Sequence, residues 1–214
     1  MPTYSDIADL CRQDLDTRHQ AREQALQLSR QLTRFCANSI RAIHRGENDE
    51  AALLLAEARA ITAQLGSNLQ EYQDLFFSGY TQDAIKEFVE ASCTCAIILD
   101  QPLPTHKELE VTAATYLRGL AETPGELRRR CLDILRKGYS EEAERLLAHM
   151  DEIYAMLVAM DYPDAITNGL RHQTDQLRGI IERTRADLTI SLGEHRLQQE
   201  LKEFEKRLNH NAAG

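Results

Sequence analysis

A chain of 214 residues is long enough to bury one large hydrophobic core, and we predict a single domain rather than two. Gly and Pro are scarce, with 10 and 5 residues, and Trp is absent, which is typical of long helices and argues against a β-sheet protein. The net charge of −9 argues against the basic surface that most nucleic-acid-binding domains carry. Five of the 25 basic residues are lysines and the other 20 are arginines, however, so a locally basic, phosphate-binding surface is compatible with the composition.

The N-terminal residues lack the basic start and apolar run of a secretory signal, and no segment approaches the roughly 18 apolar residues of a membrane span. The number of cysteines, five, is odd, and most of them occupy apolar positions of helical patterns. Because such cysteines are typical of a reducing compartment, we expect a cytoplasmic protein with no membrane partner.

Apolar residues recur at spacings of three and four along the chain and predict seven helices. The first runs from Tyr4 to about His44, a segment without Gly or Pro. The next five are predicted at residues 48–65, 69–77, 81–99, 105 to beyond 120, and 140–160. The last begins near Pro163 and continues, with at most an interruption at Gly193, to about residue 208. The prediction is an all-α, elongated seven-helix bundle with very long first and last helices, forming one domain over residues 1–208 and followed by a frayed tail at 209–214.

A short pattern occurs three times, beginning at Gly46, Gly79 and Gly138. In each copy an acidic residue follows four positions after the Gly, and Ala follows five positions after it. The first two copies lie 33 residues apart, close to the period of about 34 residues in tetratricopeptide repeats, but the third breaks that period. Turn chemistry that recurs wherever helices are joined explains the pattern equally well. A helical-repeat scaffold that binds proteins therefore stays as an alternative.

Two acidic residues, Glu87 and Glu90, lie three positions apart in the predicted fourth helix, so their side chains project about 60° from each other. Asp83 and Thr94 share this face. A hard cation such as Mg²⁺ takes oxygen ligands, which a face of close carboxylates provides. A solvated helix face accounts for the same spacing when this helix is considered alone.

The predicted fifth helix adds Glu122 and Glu126, four positions apart, with arginines on either side. These arginines include Arg118, Arg128 and Arg129. The segment from Thr123 to Glu126 fits a capping box with Pro at the first helical position, which would start a new helix there; the alternative is one helix kinked by Pro124. If this bend faces the fourth helix, carboxylates and arginines converge and provide metal ligands with phosphate contacts.

Other catalytic patterns are absent from the sequence. It contains no HExxH, no Walker loop, no GxGxxG and no GxSxG, and its seven histidines have no metal-binding spacing. The acidic residues of the fourth and fifth helices are thus the strongest candidates for chemistry.

Three segments of the sequence resemble motifs of the translin/TRAX family, and of its TRAX branch in particular. LDTRH from Leu15, LSR from Leu28 and HR at His44 resemble the first-helix motif, in which LD-x-RH, LSR and HR follow at the same spacing. KEFVEA from Lys86 resembles the family's EYVEA, and YLRGLAETPGELRR from Tyr116 resembles YLLGxADxTGELxR. The segments occur in the family's order.

The resemblance implies a specific function. Members of this family form hollow oligomers, commonly octamers, that enclose single-stranded nucleic acid or small RNA, and TRAX subunits cut RNA with acidic residues and Mg²⁺. It implies that Glu87 and Glu90 are catalytic metal ligands and that Glu122 occupies the position of a family Asp, a departure that adds one methylene. It further implies an outer metal ligand at Glu126 and a phosphate contact at Arg129.

We therefore predict a metal-dependent endoribonuclease that acts on single-stranded or small RNA inside a homo-oligomeric, octameric shell, with single-stranded DNA as a further candidate ligand. The predicted catalytic residues are Glu87, Glu90 and Glu122; the predicted ligands of Mg²⁺ or Mn²⁺ are the same three and Glu126. Nucleic acid is predicted to contact Arg118, Arg128 and Arg129. The alternatives are a translin-like particle that binds single-stranded RNA or DNA without cutting it, and the helical-repeat scaffold.

Overall fold

The structure, a computed structural model, describes residues 1–212 and contains helices and no strand within them. The helices are α1 (Tyr4–Arg45), α2 (Asn48–Asn68), α3 (Gln73–Phe76), α4 (Gly79–Ile98), α5 (Ala113–Leu135), α6 (Glu141–Val158), α7 (Asp164–Thr167) and α8 (Leu170–Ala212). The prediction of an all-α fold with very long first and last helices is confirmed. No helix of the described residues has both the length and the apolar character that crossing a membrane requires.

Helix α1 is capped at both ends, but only part of it is buried. Thr3 and Asp6 form a capping box at its start, and Gly46, with φ of 79°, ends it in the left-handed conformation that glycine adopts without strain. Its buried positions begin at Ala25 and continue to Ile43. The first half of α1 is therefore largely exposed within the described residues, although Arg18 forms an ion pair with Asp74 of α3.

Contacts within the chain form two compact groups, one of residues 1–120 and one from Ala121 onward, and the division falls inside the continuous helix α5. In the first group, α1 packs on α2 and α4, and α2 also contacts α4. Leu32, Ile43, Leu65 and Phe88 are almost completely buried there. This core fixes the orientation of α4.

The second group is centred on α6 and α8, which pack against each other, while α7 also contacts α8. Ser140 caps α6 by accepting a hydrogen bond from the backbone N–H of Glu142. Leu146, Met150 and Leu177 form the buried centre.

The single-domain assignment of residues 1–208 remains a prediction. Helix α8 continues past 208 to Ala212, and the last two residues of the predicted frayed tail lie outside the described residues.

Three helix boundaries differ from the prediction. Thr105 caps a single turn with Glu108 rather than the fifth helix, which begins at Ala113 after Glu110 has adopted a positive φ of 57°. Thr123 does not start a new helix, because α5 continues through Pro124. The break in the last helix lies at Asn168 and Gly169, with φ of 51° and 86°, whereas the predicted point, Gly193, lies inside α8.

The recurring pattern at Gly46, Gly79 and Gly138 marks the places where α2, α4 and α6 begin. Gly46 ends α1, Gly79 is the first residue of α4, and Gly138 has φ of 112° in the turn before α6. These are three different turn positions. The pattern therefore reflects turn chemistry between helices.

Candidate functional site

The site is built on α4, where Glu87 and Glu90 are both partly exposed. The two residues between them, Phe88 and Val89, are fully buried in the core. Because the buried side chains fix the rotation of the helix about its axis, the two glutamates are held at the border between core and solvent. A carboxylate at such a border has fewer rotamers and weaker solvation than one on a free helix face.

Helix α5 approaches α4 closely at Gly119. A Cβ atom added at Gly119 would lie 2.6 Å from Cβ of Val89 and 2.7 Å from the backbone oxygen of Lys86, distances that only a glycine permits. Nearby, Thr115 donates a hydrogen bond of 2.6 Å to Oε1 of Gln82. Glu122 follows three residues after Gly119 on the same uninterrupted helix, so it projects from nearly the same face.

The structure brings three of the predicted acidic residues together. One carboxylate oxygen from each of Glu87, Glu90 and Glu122 lies within 4.8 Å of the others, and all three residues are partly buried. A divalent ion with metal–oxygen distances of about 2.1 Å holds its ligand oxygens about 3.0–4.2 Å apart, so small side-chain rotations suffice to bind one ion. Nε2 of Gln173 donates a hydrogen bond of 2.9 Å to Oε1 of Glu122 and restrains that carboxylate.

Two positive side chains accompany the acidic residues. Nζ of Lys86 lies 3.4 Å from Oε1 of Glu87, and the Lys86 side chain is only 12% exposed. Arg118 forms an ion pair of 2.9 Å with Asp83, the acidic residue one turn before Glu87. Lys86 therefore lies at the edge of the carboxylate cluster, where it reduces the repulsion among the negative charges, whereas Arg118 is paired with an acidic residue outside the cluster.

The negative potential of the site extends to α1. Burial raises the pKa of the Cys36 thiol well above its ordinary value, and the charges of Glu87 and Glu90 raise that pKa further. Cys36 is fully buried in the core. The thiol stays protonated and packs as a small apolar residue.

The remaining predicted site residues on α5, one metal ligand and two nucleic-acid contacts, lie outside the carboxylate cluster or have partners of their own. Glu126 lies 3.5 Å from Arg129 and is not in the carboxylate cluster found among the described residues. Arg128 forms an ion pair of 2.8 Å with Asp187 and donates to Thr184 at 3.1 Å, contacts that hold α5 against α8. Of the three predicted nucleic-acid contacts, Arg129 has the most exposed side chain, at 51%.

Three residues of the site were not predicted from the sequence. Lys86 directly precedes Glu87, so it could have been proposed from its position alone. Gly119 lies inside a helical pattern, and nothing in the local sequence indicates that another helix approaches it. Gln173 lies 51 residues from Glu122 in the sequence. No local pattern relates Gln173 to Glu122, because only the tertiary fold brings them together.

Two larger grooves lie away from the carboxylates. One, of about 830 Å³, is lined by residues 157–175 of α6, α7 and α8. The other, of about 710 Å³, is lined by α2, α4 and the segment that follows α4, and six of its lining residues are alanines. Neither groove contains Glu87, Glu90 or Glu122, so the chemistry of the carboxylates and not groove size identifies the candidate site.

The chain is similar to several known proteins, although no protein-family model matches it. It is 35% identical to an uncharacterised protein of Methanocaldococcus jannaschii over 190 residues, which cover 88% of this chain and 84% of that protein. It is 34% identical to AfC3PO in the structure of the AfC3PO–duplex RNA complex, with a TM-score of 0.81 and coverage of 87% of this chain and 97% of that one. The crystal structure of AfC3PO gives the same identity and coverage and a TM-score of 0.80. Apo-NeC3PO, at 18% identity and a TM-score of 0.80 over 89% of this chain and all of the other, shows the fold alone.

Proposed function

This chain belongs to the translin/C3PO family, and on that premise we propose that it is a metal-dependent endoribonuclease that cuts single-stranded or small RNA within a homo-oligomeric particle. The likeness to AfC3PO, whose complex with duplex RNA has been solved, supports an RNA-binding particle. The observation that carries the catalytic part of the proposal is the convergence of the carboxylates of Glu87, Glu90 and Glu122.

The carboxylate cluster fits a hard divalent cation. Its three donor atoms are oxygens, and their separation is close to that required by one Mg²⁺ or Mn²⁺ ion. In this proposal Glu87, Glu90 and Glu122 would hold the ion, and Glu126 would be an outer ligand. When bound, the ion would supply Lewis acidity toward a phosphodiester and a water nucleophile of lowered pKa.

The chain's own side chains have distinct roles in this mechanism. Gln173 orients the Glu122 carboxylate through its hydrogen bond, which limits the longer side chain to fewer positions. Arg118 lies four residues before Glu122 on α5 and Arg129 seven residues after it, and in this proposal they would contact the phosphates that flank the cleaved bond. Their positive charge stabilises the negative charge that develops on the phosphate during attack.

The proposed particle is a homo-oligomer, and an octamer is the specific prediction. Support comes from apolar side chains that a single chain leaves exposed on its two long helices. On α8 these include Leu197, Leu201 and Phe204, and on α1 they include Leu10 and Leu15. Such exposed apolar stripes are typical of surfaces that another subunit covers.

The test is cleavage of labelled single-stranded and duplex RNA oligonucleotides with Mg²⁺ or Mn²⁺. We expect the substitutions Glu87→Gln, Glu90→Gln and Glu122→Gln each to reduce cleavage by on the order of 10²-fold or more, because each removes one charged ligand. Glu57→Gln, on the exposed face of α2, is the matched control and should cleave like the native protein. Equal cleavage by all variants would contradict the assignment and indicate a contaminating nuclease.

A particle that binds RNA without cutting it is the second candidate, favoured by one observation. Glu122 stands where the TRAX motif has Asp, and its longer side chain is engaged by Gln173. This candidate predicts salt-sensitive RNA binding with no metal-dependent product. Metal-dependent cleavage that is lost in Glu90→Gln would exclude it.

A further inference from the structure

The second half of α1 has a charge distribution unlike the rest of the chain. From Ala25 to Arg45 it contains four arginines and neither Asp nor Glu, whereas the whole chain has 34 acidic residues and a net charge of −9. The first half of the same helix, by contrast, mixes both signs and forms local ion pairs such as Arg12 with Asp9. The basic character is therefore confined to a segment and is not a general property of α1.

Three of these arginines form a ridge along the exposed side of α1. Arg30, Arg34 and Arg41 are all exposed. At 100° per residue they project within about 40° of one another, and at 1.5 Å per residue they extend over about 16 Å of helix. We call these three residues the arginine ridge. The buried side of the same segment includes Leu32 and Cys36.

The ridge is not neutralised by carboxylates. Arg41 donates a hydrogen bond of 2.7 Å to the neutral Oδ1 of Asn38, and within the described residues no carboxylate forms an ion pair with Arg30, Arg34 or Arg41. Many other arginines of the chain do have acidic partners, for example Arg185 with Asp151. The ridge consequently keeps its positive potential on a protein of negative net charge.

The ridge also lies away from the carboxylate cluster. Ser39 of α1 contacts Cys95 of α4, with Oγ 3.6 Å from Sγ, and the ridge arginines project about 140–180° from Ser39 around the axis of α1. Because a helix with its side chains is about 10 Å across, a phosphate on the ridge cannot be the one held at Glu87 and Glu90 of the same subunit.

We propose that the arginine ridge is a second RNA-binding surface, which holds phosphates of the RNA backbone at a distance from the bond that is cut. This inference rests on the proposed function for its ligand. Guanidinium groups bind phosphate through paired N–H donors, and contacts to phosphates carry no sequence information. The ridge therefore adds affinity and salt dependence without adding sequence specificity.

The test is fluorescence anisotropy of a labelled uridine oligonucleotide, with EDTA present so that cleavage cannot occur. The triple variant R30Q/R34Q/R41Q is compared with R136Q/R178Q/R207Q, which removes three exposed arginines that pair with acidic neighbours and thus changes the net charge equally. We expect the ridge variant to bind on the order of tenfold more weakly at low salt, and its slope of log affinity against log salt to be shallower by about 2, because each lost contact removes about 0.7. The control variant should keep the native slope.

The outcomes separate this inference from the proposed function. Native RNA affinity in the ridge variant, or an equal loss in both triple variants, would overturn the role of the ridge while leaving cleavage at the carboxylates intact. If the ridge variant binds RNA like the native protein but forms a smaller particle on size exclusion, the ridge pairs with an acidic surface of a second copy. That result would also overturn the proposed role of the ridge in RNA binding. Conversely, Glu87→Gln should keep the ridge-dependent affinity although its cleavage of RNA is strongly reduced. Absence of RNA binding by the native protein would contradict both proposals.

Discussion

Lys86 places a positive charge next to the carboxylates that we propose as metal ligands. Its ammonium group lies 3.4 Å from Glu87 in a setting where the lysine side chain is only 12% exposed. Partial burial strengthens such an interaction relative to one in bulk water. Lys86 therefore neutralises part of the cluster's charge when no metal is bound, and it competes with a divalent ion for Glu87.

Removal of this charge is expected to tighten metal binding. We predict that Lys86→Met binds Mn²⁺ several-fold more tightly than the native protein, since about 1 kcal/mol of lost competition corresponds to roughly fivefold in affinity. Lys86→Arg keeps the charge and should remain close to native. Isothermal titration with Mn²⁺ measures the effect, with Lys107→Met, an exposed site, as the control. Weaker or unchanged binding by Lys86→Met would show that Lys86 does not compete for the site.

Individual residues differ in how far the sequence reveals their role. The spacing of Glu87 and Glu90 was enough to place them on one face, because helix geometry relates positions three apart. The burial of Phe88 and Val89 between them explains why this pair, unlike most exposed acidic pairs, is held in place. The contact of Gln173 with Glu122 could not be predicted, since it depends on how α8 follows α5 through space.

At the scale of elements, the geometry of the site depends on the close approach of α5 to α4. Gly119 makes this approach possible because it has no Cβ to meet Val89 and the backbone of Lys86. A larger residue must push the helices apart, and backbone atoms cannot move as a flexible side chain would. The position of Glu122 one turn later would shift with the helix.

Gly119→Ala is therefore expected to destabilise the protein by about 1–3 kcal/mol, the usual cost of overpacking, and to weaken Mn²⁺ binding. Gly125→Ala on the same helix is the matched control. A Cβ at Gly125 meets no atom within 4 Å, so this substitution should be neutral or stabilise by up to about 1 kcal/mol through helix propensity. Urea denaturation of both variants tests the prediction. Equal stability of the two would mean that the helices separate without cost.

Two helix boundaries in this chain could not be predicted from the local sequence alone. The segment at Thr123 satisfies the pattern of a capping box, yet Thr123 is fully buried inside a continuous α5. Packing of the flanking turns outweighs the hydrogen bond that Pro124 forgoes to Leu120. At Thr105 the cap is real, but it begins only one turn, because Glu110 leaves the helical conformation.

At the scale of the whole molecule, the exposed apolar residues of α8 lie on a repeat of seven. Ile190, Leu197 and Phe204 follow at intervals of seven, as do Leu201 and Leu208, and all five are more than half exposed. A heptad spacing is typical of helices that pack along a seam with another helix. No other part of the chain that the structure describes covers this seam, which supports an assembly through α8.

A charge placed in this seam should weaken the assembly. We predict that Leu201→Glu reduces the particle to smaller species, measured by size exclusion with light scattering, because a buried unpaired carboxylate is costly. Gln199→Glu adds the same charge about 160° around the helix and should leave the mass unchanged. An unchanged mass in Leu201→Glu would remove α8 from the proposed interface.

The net charge of the chain does not predict where its surface is locally basic or acidic. A value of −9 predicts poor binding to nucleic acid, but it averages over an acid-free segment of α1 and over acidic surfaces elsewhere. The all-α class followed from composition and periodicity, because these depend on the entire chain. The distribution of charge over the surface, in contrast, depends on which side of each helix is buried.

The anomalous scattering of Mn²⁺ in crystals of the native protein shows most directly whether the three carboxylates bind one metal ion. We predict one strong peak at about 2.1 Å from carboxylate oxygens of Glu87, Glu90 and Glu122, and its loss in crystals of Glu90→Gln. No peak among these three residues at saturating Mn²⁺, or a peak that persists in Glu90→Gln, would contradict it.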